Sequence, residues 1–506
     1  MAIAELIAFI LYFAVVIYIG IHFFLKSRKS GSEKDYFLGG REMSGPVAAL
    51  SAGASDMSAW VLMGLPGAIY VAGLGQVWIS VGLIIGTILA WVFVAPRLRT
   101  FSIKADDSIT IPQFLTNRFK SKNKILQIVC AIVFIIAYTV YAASSISACG
   151  DLFVTVFNLD SKLVPMIVAT LIIVAYTFLG GFNAVCWTDF FQGLLMLAAL
   201  MIVPIVTMVI INTKGFDPVS AVNIPATYYN FLSSGKFDST SMIDILSGLS
   251  WGFGYFGMPH ILIRYMSIKS RKEMNRSRVI GSCWTFLIIT AATFVGIFGR
   301  KYLGEMLADN GTQSMVFIQM VRRIFPALIS GILLSAILSA SMSTADSQLL
   351  ASSSAFASDV YKPVIRKKAS DKEMLWAGRI VVIIIAVAAL FIAINPNSGG
   401  IMSLVSNAWG FFGAAFGPAI ILALYWKRFN YAGAVSGILA GFVVDALWLY
   451  AVPSEALGGW GALYELFPGF IIGLVVSVVV TLCTKAPAKE VTDLFDQSVE
   501  FTKNEK

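Results

Sequence analysis

Ser51-Ala52-Gly53-Ala54-Ser55-Asp56-Met57-Ser58-Ala59-Trp60 places a carboxylate and three serines inside an apolar run that extends from Pro46 to about Ala72. In hydrocarbon every backbone polar group needs an internal partner, so a stretch this rich in small and hydroxyl residues persists at membrane depth only where it lines a cavity or holds a ligand. A carboxylate there costs roughly 2.5–3.5 kcal/mol on insertion scales. The stretch reads as a helix broken at an ion-binding point. The plainer alternative is a continuous helix whose small residues pack on a neighbour and whose Asp56 meets a buried base.

Working outward, the chain of 506 residues is 58% hydrophobic and only 13% charged, which leaves too little polar surface for a water-soluble globule. Apolar runs long enough to cross roughly 30 Å of hydrocarbon recur along it. They predict an all-α polytopic membrane protein of about thirteen helices, near 4–25, 44–72, 76–97, 125–150, 163–181, 186–211, 242–262, 279–299, 325–355, 375–394, 401–425, 431–452 and 463–483. The first run lacks a small-residue cleavage site and is followed by Lys26, Arg28 and Lys29, so it reads as a retained helix. Thirteen crossings with the N-terminus outside put all but seven of the 37 Lys and Arg residues in cytoplasmic loops or in the tail. The seven are Lys162, Lys214, Lys236, Arg300, Lys301, Arg322 and Arg323. Arg264 counts as a cytoplasmic loop residue in this scheme.

The net charge of +9 thus follows from topology, lipid is the expected surrounding, and the basic loops imply no nucleic acid. Five scattered cysteines without CxxC spacing imply neither a metal centre nor a disulfide framework. No phosphate-binding loop suggests direct coupling to ATP. No nucleophile, base and metal constellation suggests an enzyme, and no cofactor is expected. The polar tail, 486–506, is too short for a regulatory domain, and nothing points to an obligate protein partner. Residues 1–485 read as one transporter domain in the plasma membrane, with the C-terminus cytoplasmic.

A second interruption lies at Trp251-Gly252-Phe253-Gly254-Tyr255-Phe256-Gly257-Met258-Pro259-His260, where three glycines and a proline break any continuous helix. The two breaks each open a set of five expected helices, 44–211 and 242–425. An odd number of crossings per set gives the second set the opposite topology. This predicts a five-plus-five inverted-repeat core with a midplane site between the two broken helices. Helices 4–25, 431–452 and 463–483 are then peripheral, and Asp445 falls among them. Polar residues 212–241 form a long outer loop that covers the cavity.

A hard cation such as sodium takes oxygen ligands, which the carbonyls of a broken helix and nearby hydroxyls supply. Leu338-Ser339-Ala340-Ser341-Met342-Ser343-Thr344-Ala345-Asp346-Ser347 concentrates hydroxyls in an otherwise apolar helix, although a lone Ser there ordinarily bonds its own i−4 carbonyl. Asp189 lies near an inner helix end, as an ion-route residue or as an acid favoured by the helix dipole. Proton coupling would want a group titrating near neutrality. The only histidines are His22 and His260, so sodium is the better supplied ion. Trp60, Tyr141, Trp251 and Tyr255 are aromatics beside the breaks or in a small-residue helix, placed to enclose an apolar ring or simply to pack.

Six segments carry a family resemblance: DYFLGGR (35–41), SAGASDMSAWVLMGLPGAIY (51–70), TFLGGFNAVCWTDFFQG (177–193), WGFGYFGMPHILIRYM (251–266), ILSASMSTADSQLL (337–350) and GFFGAAFGPAI (410–420). Together, in order and over nearly the whole chain, they resemble the sodium:solute symporter family and its proline-transporting members. That resemblance implies sodium held by the carbonyls of Ala54, Met57 and Ala340 and by the hydroxyls of Ser343 and Thr344. It ties Asp56 to sodium coupling, Arg41 to the cytoplasmic side of the same helix, and Asp189 to the inner ion route. It assigns L-proline recognition to Ser58, Trp60, Tyr141, Trp251, Tyr255 and Pro259. The expected function is sodium-coupled import of L-proline by alternating access. The alternatives are symport of another small amino acid or osmolyte, and a solute sensor.

Overall fold

The structure, a computed structural model, describes residues 2–27, 33–179, 181–308 and 312–505. Arg28 and Lys29 of the first basic cluster, Gly180 of the 177–193 segment and Lys506 lie outside the described residues. Every regular element among the described residues is helical, and one isolated bridge pairs Met43 with Ile268.

The first half runs α1 (Ala2–Ser27), a short α2 (Glu33–Leu38), α3 (Gly45–Asp56), α4 (Gly64–Ala72), α5 (Val77–Leu89), α6 (Ala95–Lys104), α7 (Ile111–Arg118), α8 (Ile125–Phe157), α9 (Leu163–Leu179) and α10 (Phe182–Ile211). The second runs α11 (Ser239–Ser250), α12 (Pro259–Ser267), α13 (Arg271–Leu303), α14 (Val316–Ile324), α15 (Ala327–Ala355), α16 (Asp371–Ile394) and α17 (Ile401–Tyr425). After these come α18 (Tyr431–Ala451), α19 (Leu466–Cys483) and α20 (Lys489–Asn504).

Both expected interruptions are present. Helix α3 opens with Pro46 in its first turn, and the Glu273 carboxylate of α13 accepts from the Gly45 N–H at 2.6 Å. That acid satisfies one of the unpaired donors at a helix start and sits at the favourable end of its dipole. The helix stops where Met57 leaves the helical region (φ −80°, ψ 63°), and the Ser58 N–H turns back to the Asp56 carbonyl at 2.9 Å. The second break is a tight turn over Trp251–Phe256; Met258 is then extended and Pro259 starts α12, a position where its fixed φ suits a helix and no N–H is missed.

Glycine permits the close crossing of α5 with the second break. A Cβ at Gly86 would lie 2.4 Å from the Gly252 Cα, and one at Gly82 would lie 2.4 Å from the Gly248 carbonyl oxygen. Small residues of this kind let membrane helices approach backbone to backbone. The packing is reciprocal: α5 lies on α11 and the second break, while α13 lies on α3 and α4.

Among the described residues ten helices are long and apolar enough to cross a membrane, with Ala59–Lys104 counted as one run. Helix α9 has 17 residues and both halves of the second break are shorter still, so length and composition alone do not reach the expected thirteen. The 212–241 segment is anchored: the Tyr228 hydroxyl donates to the Ile69 carbonyl at 2.9 Å, and Trp78 donates to the Phe231 carbonyl. The polar tail forms α20, which packs on α6.

Candidate ion and solute site

The break in α3 frees the Ala54 carbonyl from the helical ladder, because Ser58 bonds Asp56 instead. Ser343 of α15 meets it, its hydroxyl donating to Ala54 O at 2.8 Å and to Ala340 O at 3.3 Å. Thr344 is fully buried and its Oγ1 has no partner in the fold. Three of the five expected sodium oxygens are therefore joined directly, a fourth is buried and open on the same helix, and the fifth residue, Met57, caps α3. A buried hydroxyl without a partner is costly in a dry interior, and an ion is one partner that would satisfy it.

Asp56 is 2% exposed. Its Oδ2 accepts from the Tyr255 hydroxyl at 2.6 Å, its Oδ1 has no partner, and its backbone carbonyl accepts from the Tyr141 hydroxyl at 3.1 Å. The two breaks are thus tied together through one carboxylate. Around it the Trp60 and Trp251 rings lie 5.6 Å apart, Trp251 stacks on Tyr464 at 5.2 Å, and Tyr255 meets Trp409 edge-on at 5.2 Å. The Trp409 indole donates to the Trp251 carbonyl at 2.8 Å. Ser58 is buried and its Oγ faces the Trp60 N–H, while Pro259 lies at the start of α12. A cavity of about 650 Å³ reaches Trp251 from the face that carries Gly75, Gln76, Ser406 and Tyr464.

Away from that cavity lies a residue that the sequence scheme misassigned. Arg264 belongs to no loop: it is 2% exposed and sits within α12. Its guanidinium donates to Ser51 Oγ at 2.7 Å, Asp189 Oδ2 at 2.8 Å, Ser347 Oγ at 2.6 Å and the His260 carbonyl at 2.7 Å. A charge at this depth is tolerated because Asp189 pairs with it; Ser51 also donates to Asp189 at 2.7 Å. Helix α12 therefore runs past the expected end at 262. Asp346 lies beside this network, its Oδ1 accepting from Ser347 at 3.3 Å and its Oδ2 unpartnered.

The sodium:solute symporter family model matches residues 36–441. The chain belongs to that family. It is 40% identical to the osmoregulated proline transporter OpuE of Bacillus subtilis (strain 168), over all of both chains. It is likewise 40% identical to the sodium/proline symporter of Haemophilus influenzae, over 99% of each. Among solved structures, a sodium-coupled sialic acid symporter in a substrate-bound outward-open state superposes with a TM-score of 0.74 at 19% identity, covering 96% of this chain and 99% of that one. As a family member the chain is a multi-pass membrane transporter with sodium as coupling ion, not an enzyme.

Within the family fold, Arg41 stands apart from the Asp56 cluster. It pairs with Asp107 at 2.8 Å and donates to the Met266 carbonyl at 2.7 Å and the Ser108 carbonyl at 2.7 Å, stitching the start of the first set to the end of α12. Two participants escaped the sequence reading. Arg264 was hidden by its place at a span's end, a few residues before the arginines that open α13. Tyr138, whose hydroxyl meets His260 Nδ1 at 3.3 Å and the His260 N–H at 3.1 Å, is one apolar-looking aromatic among many.

Proposed function

We propose that the chain imports L-proline together with sodium by alternating access, the ion bound by Ala54, Met57, Ala340, Ser343 and Thr344. The observation that carries this is the Ser343 hydroxyl on the freed Ala54 carbonyl, which joins α15 to the break in α3 at the point where an oxygen shell for a hard cation is needed. Asp56 couples the ion to the solute: it ends the helix that carries Ala54, one carboxylate oxygen is without a partner, and the other holds Tyr255 of the second break. The pyrrolidine ring of proline enters by parting Trp60 from Trp251, with Ser58, Tyr141, Tyr255 and Pro259 completing its surround. The names of the relatives support proline and sodium as the transported pair.

The reciprocal packing of α5 and α13 on the two breaks supports the inverted repeat, 44–211 and 242–425. Thirteen crossings, with the N-terminus outside and the tail cytoplasmic, put the 650 Å³ cavity on the outer side and Arg264 across the inner exit. Moving one charge through 100 mV yields about 2.3 kcal/mol and a tenfold sodium gradient about 1.4 kcal/mol, enough together for several-hundredfold accumulation. Proteoliposome uptake of labelled proline under separately imposed sodium, lithium and proton gradients tests this. Sodium-driven accumulation is expected, and uptake indifferent to sodium rejects it. Competition by other amino acids and osmolytes separates proline from other solutes. Asp56→Asn is expected to insert normally and lose sodium-stimulated uptake; an unchanged sodium response would remove its assigned role.

A further inference from the structure

Two acids carried by α18 and α19 have no part in the mechanism above. Asp445, expected to be peripheral, is fully buried in α18, and neither of its carboxylate oxygens has a hydrogen-bond partner. Glu465 lies immediately before α19, is 8% exposed, and its Oε1 is buried without a partner. Among the described residues neither acid makes an ion pair.

The chain segments that carry the two carboxylates lie against each other. Gly469 lies one turn beyond Glu465, and a Cβ there would stand 3.0 Å from the Asp445 Cβ; residues four apart on a helix are side-by-side neighbours. On the opposite wall is Gly410 of α17, where a Cβ would stand 2.9 Å from Asp445 Oδ1 and 3.2 Å from Oδ2. Glycines at 410 and 469 thus leave room for an acid that nothing in the fold neutralises. A charged carboxylate buried as Asp445 is pays several kcal/mol in lost hydration, and a neighbouring carboxylate repels it. Three open oxygens are the ligand type a hard cation takes. Glu465 also lines the 650 Å³ cavity, together with Asp244, Ser247, Ser406 and Tyr464, so an ion from the outer solution has a route to it.

We propose that Asp445 and Glu465 form a second sodium site at the floor of the outer cavity, separate from the one at Ala54 and Ser343. Its occupancy reaches the solute site through Tyr464, which is adjacent to Glu465 in the chain, stacks on Trp251 and donates to the Ser406 carbonyl at 2.6 Å.

Equilibrium binding of ²²Na⁺ to the purified full chain tests this. The wild type is expected to bind two ions, Asp445→Asn one, and Ser343→Ala/Thr344→Ala one. Asp445→Asn in the latter background is expected to bind none. Glu465→Gln provides an independent second variant, and thermal melting in detergent verifies that each variant is folded. A wild-type stoichiometry of one that Asp445→Asn and Glu465→Gln leave unchanged overturns the proposal and assigns protons to the pair. So does sodium binding in the hydroxyl-free background that survives both acid substitutions. If instead Ser343→Ala/Thr344→Ala still binds two ions while the acid variants bind one, the second site stands and the ion assignment at Ala54 fails, so the two readings fail separately.

Discussion

At the scale of single residues, the 2.6 Å bond from Tyr255 to Asp56 joins two halves of the chain that the sequence offers only as separate oddities. A hydrogen bond to a charged group contributes about 1.5–3 kcal/mol. Tyr255→Phe is accordingly expected to raise the sodium concentration for half-maximal proline uptake roughly tenfold with the protein still inserted, measured as uptake against sodium. Arg264 makes a different kind of prediction. Arg264→Gln leaves Asp189 buried without its counter-charge, and breaking a buried pair from one side costs about 3–5 kcal/mol. Lower yield and loss of uptake are expected, with melting temperature recovered when Asp189→Asn is added, because the double variant strands no charge. Asp56 and the 338–347 hydroxyls were legible because such groups are improbable in lipid and announce themselves. Arg264 and Asp445 were not. An arginine at the end of a span looks like any loop arginine under the positive-inside rule, and the surroundings of Asp445 are supplied by glycines on two other helices.

At the scale of elements, both breaks were readable from local chemistry, since glycine, proline and serine at membrane depth have few other uses. Their mutual packing was not, because it depends on which surfaces α5 and α13 present. Gly254 illustrates the tolerance involved. A Cβ there would lie 2.0 Å from the Trp409 indole nitrogen, which donates to the Trp251 carbonyl. Gly254→Ala must displace that ring, and overpacking of this kind costs about 1–3 kcal/mol. A lower melting temperature and reduced proline affinity are expected. Gly400→Ala, with nothing within 4 Å of the added carbon, is expected to match the wild type in both measurements. Helices α8 and α13, 33 residues each, also exceeded the runs that marked them: α13 because its polar start, 271–278, is helical, and α8 because the helix continues through Asp151 to Phe157.

At the scale of the whole molecule, the family fold was recoverable from ordered segments, whereas the role of the tail was not: Val491, Leu494, Phe495 and Val499 are spaced for one helix face, but few apolar residues among many charged ones do not say what that face covers. Helix α20 lies on α6 and α7. Arg99 of α6 forms paired bonds to the Glu505 carboxylate at 2.6 and 2.7 Å and also donates to the Ile268 and Lys269 carbonyls that follow α12. Phe495 packs edge-on to Phe101. Removing residues 489–506 is expected to increase amide exchange in α6 and at the end of α12 while α18 and α19 keep their protection, measured by hydrogen–deuterium exchange. This clamp also sets an order of assembly. Arg99 and Glu505 are 406 residues apart, so at about 5–20 residues per second a growing chain needs about 20–80 s to supply the second after the first. Every member of the Asp56, Ser343 and Arg264 clusters precedes Glu505 in the chain, so the site can form while this clamp is still being translated.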